Sequence, residues 1–111
     1  MKRILTLLSL LFAFNAYGQK LYIVDHAFRA DVKLYEVNYA NQADVLVYVA
    51  PYPHRSKGNK GHWYFSEFKF MSDKTVFFTN YRFQADVKVF FVRYPSQAKW
   101  KNIEKKKYFE K

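Results

Sequence analysis

The sequence predicts an all-β fold, a single compact domain of six strand-turn repeats of about 13 residues arranged in two pseudo-symmetric halves. Three observations carry this. First, Lys20-Leu-Tyr-Ile-Val24 returns thirteen residues later as Lys33-Leu-Tyr-Glu-Val37 and again as Leu46-Val-Tyr-Val-Ala50, and self-similarity at a fixed period points to a repeat architecture. Second, β-branched and aromatic residues dominate the first five positions of each unit, with little Gly or Pro, which is strand composition. Third, in Gln84-Ala-Asp-Val-Lys-Val-Phe-Phe-Val92 the residues Ala85, Val87, Val89 and Phe91 alternate with Asp86, Lys88, Phe90 and Val92. That period of two assigns the first set to the core.

The units run over 20–32, 33–45, 46–58, 62–74, 75–87 and 88–100, interrupted only by Asn59-Lys60-Gly61. Position two is apolar throughout (Leu21, Leu34, Val47, Trp63, Val76, Val89) and position three is always Tyr or Phe. A strand of about six residues and a connection of about seven fill each unit, both ordinary lengths. Aromatic side chains at position three are expected to be covered at one end of each strand, because rings of that size bury about 150 to 250 Å².

Each connection closes on Gln-Ala-Asp or a relative of it, with a small residue at position eleven in every unit (Ala30, Ala43, Ser56, Ser72, Ala85, Ala98). Asp31, Asp44, Asp73 and Asp86 are read as turn residues that bond the backbone two residues on, Gln as a bridge between neighbouring turns, and the small residue as what permits close approach. A calcium ladder is disfavoured because its ligand glycines are missing. Position twelve reads Asp, Asp, Lys57 and then Asp, Asp, Lys99, so the chain divides into halves 20–61 and 62–103. Forty-two residues are too few to fold unaided, which favours intertwined halves over separate domains.

Residues 1–18 read as a secretory signal: Lys2 and Arg3, then the apolar stretch Ile4 to Phe14, then Ala16-Tyr17-Gly18. Eleven apolar residues fall short of the ~20 that span a bilayer, so no integral membrane segment is expected after cleavage. A periplasmic or secreted location follows, and with no cysteine the domain must be stable without cross-links. Loss of Lys2 and Arg3 lowers the formal net charge from +10 to +8, still strongly basic.

The segments Gln42 to Val45, Lys57-Gly-Asn-Lys-Gly-His-Trp-Tyr-Phe65, Gln84 to Val92 and Gln97-Ala-Lys-Trp100 together resemble a bacterial domain-of-unknown-function family of small Gln-Ala-Asp repeat proteins. The resemblance covers 20 to about 103 and departs at Arg29, at Pro51 and Pro53, and at Phe70-Met71-Ser72-Asp73. It implies a monomeric all-β domain whose halves wind round each other into a deep seven-crossing septoil knot. It implies no activity and no active site.

Candidate chemistry is sparse. The polar run from Pro53 to His62 holds His54, Arg55, Lys57, Lys60 and His62, and its Gly-Asn-Lys-Gly backbone could form an anion-binding nest. Lys99 and Lys101 open a C-terminal stretch of six Lys against two Glu, with Trp100, Tyr108 and Phe109 interleaved; residues 104–111 form a basic tail. Basic residues mixed with aromatics suit nucleic acid, acidic polysaccharide or anionic lipid headgroups. His54 and His62 could also trade a proton in phosphodiester cleavage, the weaker reading. Three His and no Cys argue against a zinc site, no cofactor motif is present, and His26 falls at an aromatic position of the repeat. The leading expectation is an exported, non-enzymatic, very stable envelope or secreted module, then a binder of anionic polymers or an envelope surface, then a small His-dependent hydrolase.

Overall fold

Strands form wherever the two-residue alternation runs: β1 Gln19–Ile23, β2 Val32–Glu36, β3 Val45–Val49, β4 His62–Phe65, β5 Lys74–Phe78, β6 Val87–Val92 and the short β7 Lys99–Trp100. The computed structural model describes residues 19–53 and 60–110. The expected signal at 1–18 and the residues His54, Arg55 and Lys57 of the polar loop lie outside the described residues.

The sheet order is β4-β1-β5-β2-β6-β3-β7, and β3 also pairs with β4, so six parallel strands close into a ring while β7 lies antiparallel against β3. Every pairing in that ring joins a strand of the first half to a strand of the second. No two strands of the same half are neighbours in it. Closure leaves few unpaired edges, the usual hazard of a small β protein.

Interior side chains come from the predicted alternation. Leu21, Val32, Leu34, Val45, Val47, Trp63, Val76, Val87 and Val89 are all fully buried, and the pairs Val32 with Val76 and Val45 with Val89 lie level in the register. Burial of each Val or Leu contributes about 1.5 to 3 kcal/mol. Two positions further along, the halves differ. The second half places Phe65, Phe78 and Phe91 against the core as a ladder of rings 6.2 Å apart at each step. The first half leaves Ile23 and Val49 exposed there.

Consecutive strands of one half are joined by short 3-10 turns at Ala27–Arg29, Ala40–Gln42, Lys69–Met71 and Arg82–Gln84. Each turn crosses the outside of the one strand that separates its two ends. Thus Lys69–Met71 packs on β1, Ala27–Arg29 on β5 and Ala40–Gln42 on β6. Arg82–Gln84 lies over β2, with the Arg82 guanidinium 5.9 Å from the Tyr35 ring. Skipping a single strand is what lets so short a connection serve a parallel pair, which ordinarily needs a dozen residues or more.

The Asp residues differ from their expected local role. Asp73 Oδ2 accepts the Lys20 N–H at 2.9 Å, Asp86 Oδ2 the Lys33 N–H at 2.9 Å, Asp31 Oδ2 the Thr75 N–H at 2.9 Å and Asp44 Oδ2 the Lys88 N–H at 2.8 Å. Each backbone N–H of these four Asp donates in return to the carbonyl of the same partner residue. The carboxylate therefore grips the strand it crosses, which belongs to the other half, instead of closing its own turn. Gln42 does bridge neighbouring turns, accepting from Arg82 Nη2 at 3.1 Å. Gln84 and Gln97 bond locally, to the Thr79 hydroxyl and the Tyr94 N–H.

The C-terminal tail is folded. Residues Ile103–Phe109 form a 3-10 helix that returns Phe109 to the core, 3% exposed, with ring centroids 4.9 Å from Trp63 and 5.7 Å from Trp100. A boundary at 103 leaves out this aromatic plug. The backbone N–H groups of Lys101 and Asn102 both donate to the Asp44 carbonyl, fixing where the plug begins.

Candidate functional site

The basic site residues that the structure describes fall into two places. Gly61 adopts φ +90°, and a Cβ there would meet the Leu46 carbonyl at 2.6 Å and the Lys99 nitrogen at 3.3 Å, so only glycine fits. This close approach sets exposed Lys60 beside the segment that carries exposed Lys99. Lys101 points elsewhere: its Nζ donates to the Ala40 carbonyl at 3.1 Å.

His62 is a structural ring. Its Nε2 lies 3.1 Å from the Pro95 carbonyl, which can only accept, so Nε2 carries a proton. Nδ1 is buried without a hydrogen-bond partner, and the ring stands edge-on to Tyr48 at 5.9 Å. With one nitrogen committed and the other shut off from water, His62 is poorly placed to trade protons with His54. His26 is exposed and stacks on Phe28 at 5.4 Å with an interplanar angle of 16°. Among the described residues no group of three or more His, Asp or Glu could hold a metal ion, and no helix is long and apolar enough to cross a membrane.

A second feature is absent from the sequence reading. Position nine of the repeat is Phe28, Phe70 and Phe83 in the first, fourth and fifth units, and Asn41, His54 and Ser96 in the others. Phe28, Phe70 and Phe83 are 83%, 84% and 84% exposed. Each pairs with the ring two residues before it: His26 with Phe28, Phe68 with Phe70 at 5.6 Å and Tyr81 with Phe83 at 5.8 Å. The turns that bear them cross β5, β1 and β2, which are consecutive around the ring in the order β1-β5-β2. Units far apart in the chain thus place their aromatic pairs side by side on one sector of the barrel. A small crevice of about 130 Å³, lined by Lys20, Pro53, Tyr64, Ser66, Glu67, Phe68 and Met71, opens at the edge of that sector.

Comparison with known proteins places residues 18–101 in a match to the family described as the 7(1) septoil knot domain. No curated protein and no solved structure matches the chain.

Proposed function

Because the chain belongs to the septoil knot domain family, we propose that it is an exported, basic, non-enzymatic module whose working property is resistance to unfolding, acting as a monomer in the periplasm or outside the cell. The path of the chain in this reading is the seven-crossing knot, its halves threaded through one another. One observation carries the reading: every pairing in the closed ring joins one half to the other, so neither half can leave its strands without opening the whole barrel. A protein without disulfides in a protease-rich space gains most from slow unfolding, since cleavage needs an opened chain. Incubation of the folded protein with a general protease tests this. Survival of the domain for hours after an unknotted β domain of equal size has been digested supports it, and rapid native-state digestion overturns it.

A second reading, binding of an anionic polymer such as nucleic acid or acidic polysaccharide, is favoured by the approach of Gly61 to Lys99, which brings Lys60 and Lys99 to one end of the barrel. The alternative, that the cations only keep the protein soluble, is separated by a salt titration. Polyanion binding that falls steeply between low and moderate salt supports the site. No binding at low salt removes it.

A further inference from the structure

We propose that the sector formed by the turns over β1, β5 and β2 is a docking face for an anionic lipid surface, with Phe28, Phe70 and Phe83 as the inserting side chains. This goes beyond the stability reading and uses none of the residues of the polar loop.

Shape argues for a membrane over a discrete ligand. The three Phe rings stand on short turns on the outside of a closed barrel, each more than four-fifths exposed. A convex row of apolar tips offers no walls to a sugar or a peptide. A deformable planar interface can take all three at once, and insertion of apolar side chains at the headgroup boundary is how interfacial proteins bind. Each ring also has a neighbour that orients it: His26, Phe68 or Tyr81 packs against its base, so little side-chain freedom remains to be lost on insertion. Met71, 52% exposed, adds a fourth apolar group on the turn that carries Phe70.

Charge argues for anionic lipid. Every one of the three turns carries its own exposed cation, Lys69, Arg29 or Arg82, and the Arg29 guanidinium lies 5.9 Å from the Phe28 ring. The acidic residues that end these same turns have one carboxylate oxygen committed, because Asp31, Asp73 and Asp86 accept backbone N–H groups of the strands beneath. Asp25, Asp31, Glu67 and Asp73 are the exposed acids near these turns, Asp31 and Asp73 each with an oxygen held by a strand N–H, in a chain with a net charge of +10. The other side of the barrel lacks this pattern: the turns over β6 and β3 carry Asn41 and Ser96 where this face carries Phe. Apolar insertion combined with cations on the same turns gives binding that weakens with salt but is not abolished by it.

Co-sedimentation with phosphatidylglycerol and with phosphatidylcholine vesicles tests the proposal, comparing the protein with a Phe28→Ser, Phe70→Ser, Phe83→Ser variant. Both carry the same N-terminus, so the difference reads the turn face alone. The expected result is preference for phosphatidylglycerol and at least a tenfold loss of partitioning in the triple variant, with the thermal midpoint unchanged. A Phe28→Trp variant supplies a second readout: its emission is expected to move to the blue on addition of phosphatidylglycerol vesicles, whereas Trp63 and Trp100 are buried already. Equal vesicle binding by the triple variant, or no shift for Phe28→Trp, overturns the proposal. So does retention by acidic polysaccharide that depends on these Phe while vesicles are not bound, or self-association through them in the absence of lipid.

Discussion

Asp31 and Thr75, 44 residues apart, hold each other through both backbone and side chain: the Thr75 N–H donates to Asp31 Oδ2 at 2.9 Å, and the Asp31 N–H lies 2.9 Å from the Thr75 carbonyl and 3.0 Å from its hydroxyl. The Thr75 hydroxyl adds a contact to Asp31 Oδ2 at 3.2 Å, and Thr75 is only 6% exposed. A partly buried charge-assisted bond of this kind is worth about 1.5 to 3 kcal/mol. Asp31→Ala and Thr75→Val are therefore expected to be non-additive in denaturant melts, with a coupling of about 0.5 to 3 kcal/mol. Additive losses would mean that the two residues do not act as one clamp.

Asp44 has a heavier task than its counterparts. Its carboxylate takes the Lys88 N–H and faces Asn102 Nδ2 at 3.3 Å, while its carbonyl accepts from both Lys101 and Asn102. Asp44→Ala is expected to cost about 1 to 3 kcal/mol, because it leaves the Lys88 N–H, part-buried beneath the turn, without its acceptor. Asp44→Asn retains an acceptor oxygen and is expected to recover part of that loss. Chemical denaturation of the two variants checks the order.

Gly61→Ala meets two penalties at once, a left-handed backbone and a carbonyl 2.6 Å from the new methyl group. The first alone amounts to about 1 to 3 kcal/mol. Since the Gly61 carbonyl also accepts the Tyr48 N–H at the β3–β4 seam, the variant is expected to loosen ring closure specifically. Faster amide exchange at Tyr48 and Ala50 than at Val24 would register this.

Phe109→Ala empties the plug between Trp63 and Trp100 and is expected to destabilise by about 3 to 5 kcal/mol. Truncation after residue 103 is expected to cost at least as much, with a red shift in tryptophan emission as the barrel end opens. A tail that merely frays would give no change in either measurement.

How much of this was legible in the sequence depends on the reach of each signal. Alternation acts over two residues, so Val32 and Leu34, Val45 and Val47, Val87 and Val89 were readable as core without knowing their neighbours. The Asp partners were not. A local rule assigns an Asp to its own turn, whereas the partners here lie 44 or 53 residues away and emerge only once the halves interleave. The aromatic face was hidden for the same reason: units one, four and five look scattered until the order β1-β5-β2 sets their turns side by side. The burial of Phe109 left no periodic mark, since it follows the last unit in a Lys-rich stretch that reads as solvated. The weaker reading, in which His54 and His62 trade a proton, rested on residue type alone, and the ring of His62 is held by the Pro95 carbonyl.

Native-state hydrogen exchange tests the central claim, that the two halves are a single interlocked unit, most directly. The amides of Lys20 and Lys33 in the first half and of Thr75 and Lys88 in the second donate to carboxylates of the opposite half. If neither half can open alone, all four exchange through one common opening, with the same free energy and the same dependence on denaturant. Exchange of the β1–β3 amides at lower denaturant than those of β4–β6, or the reverse, would contradict it.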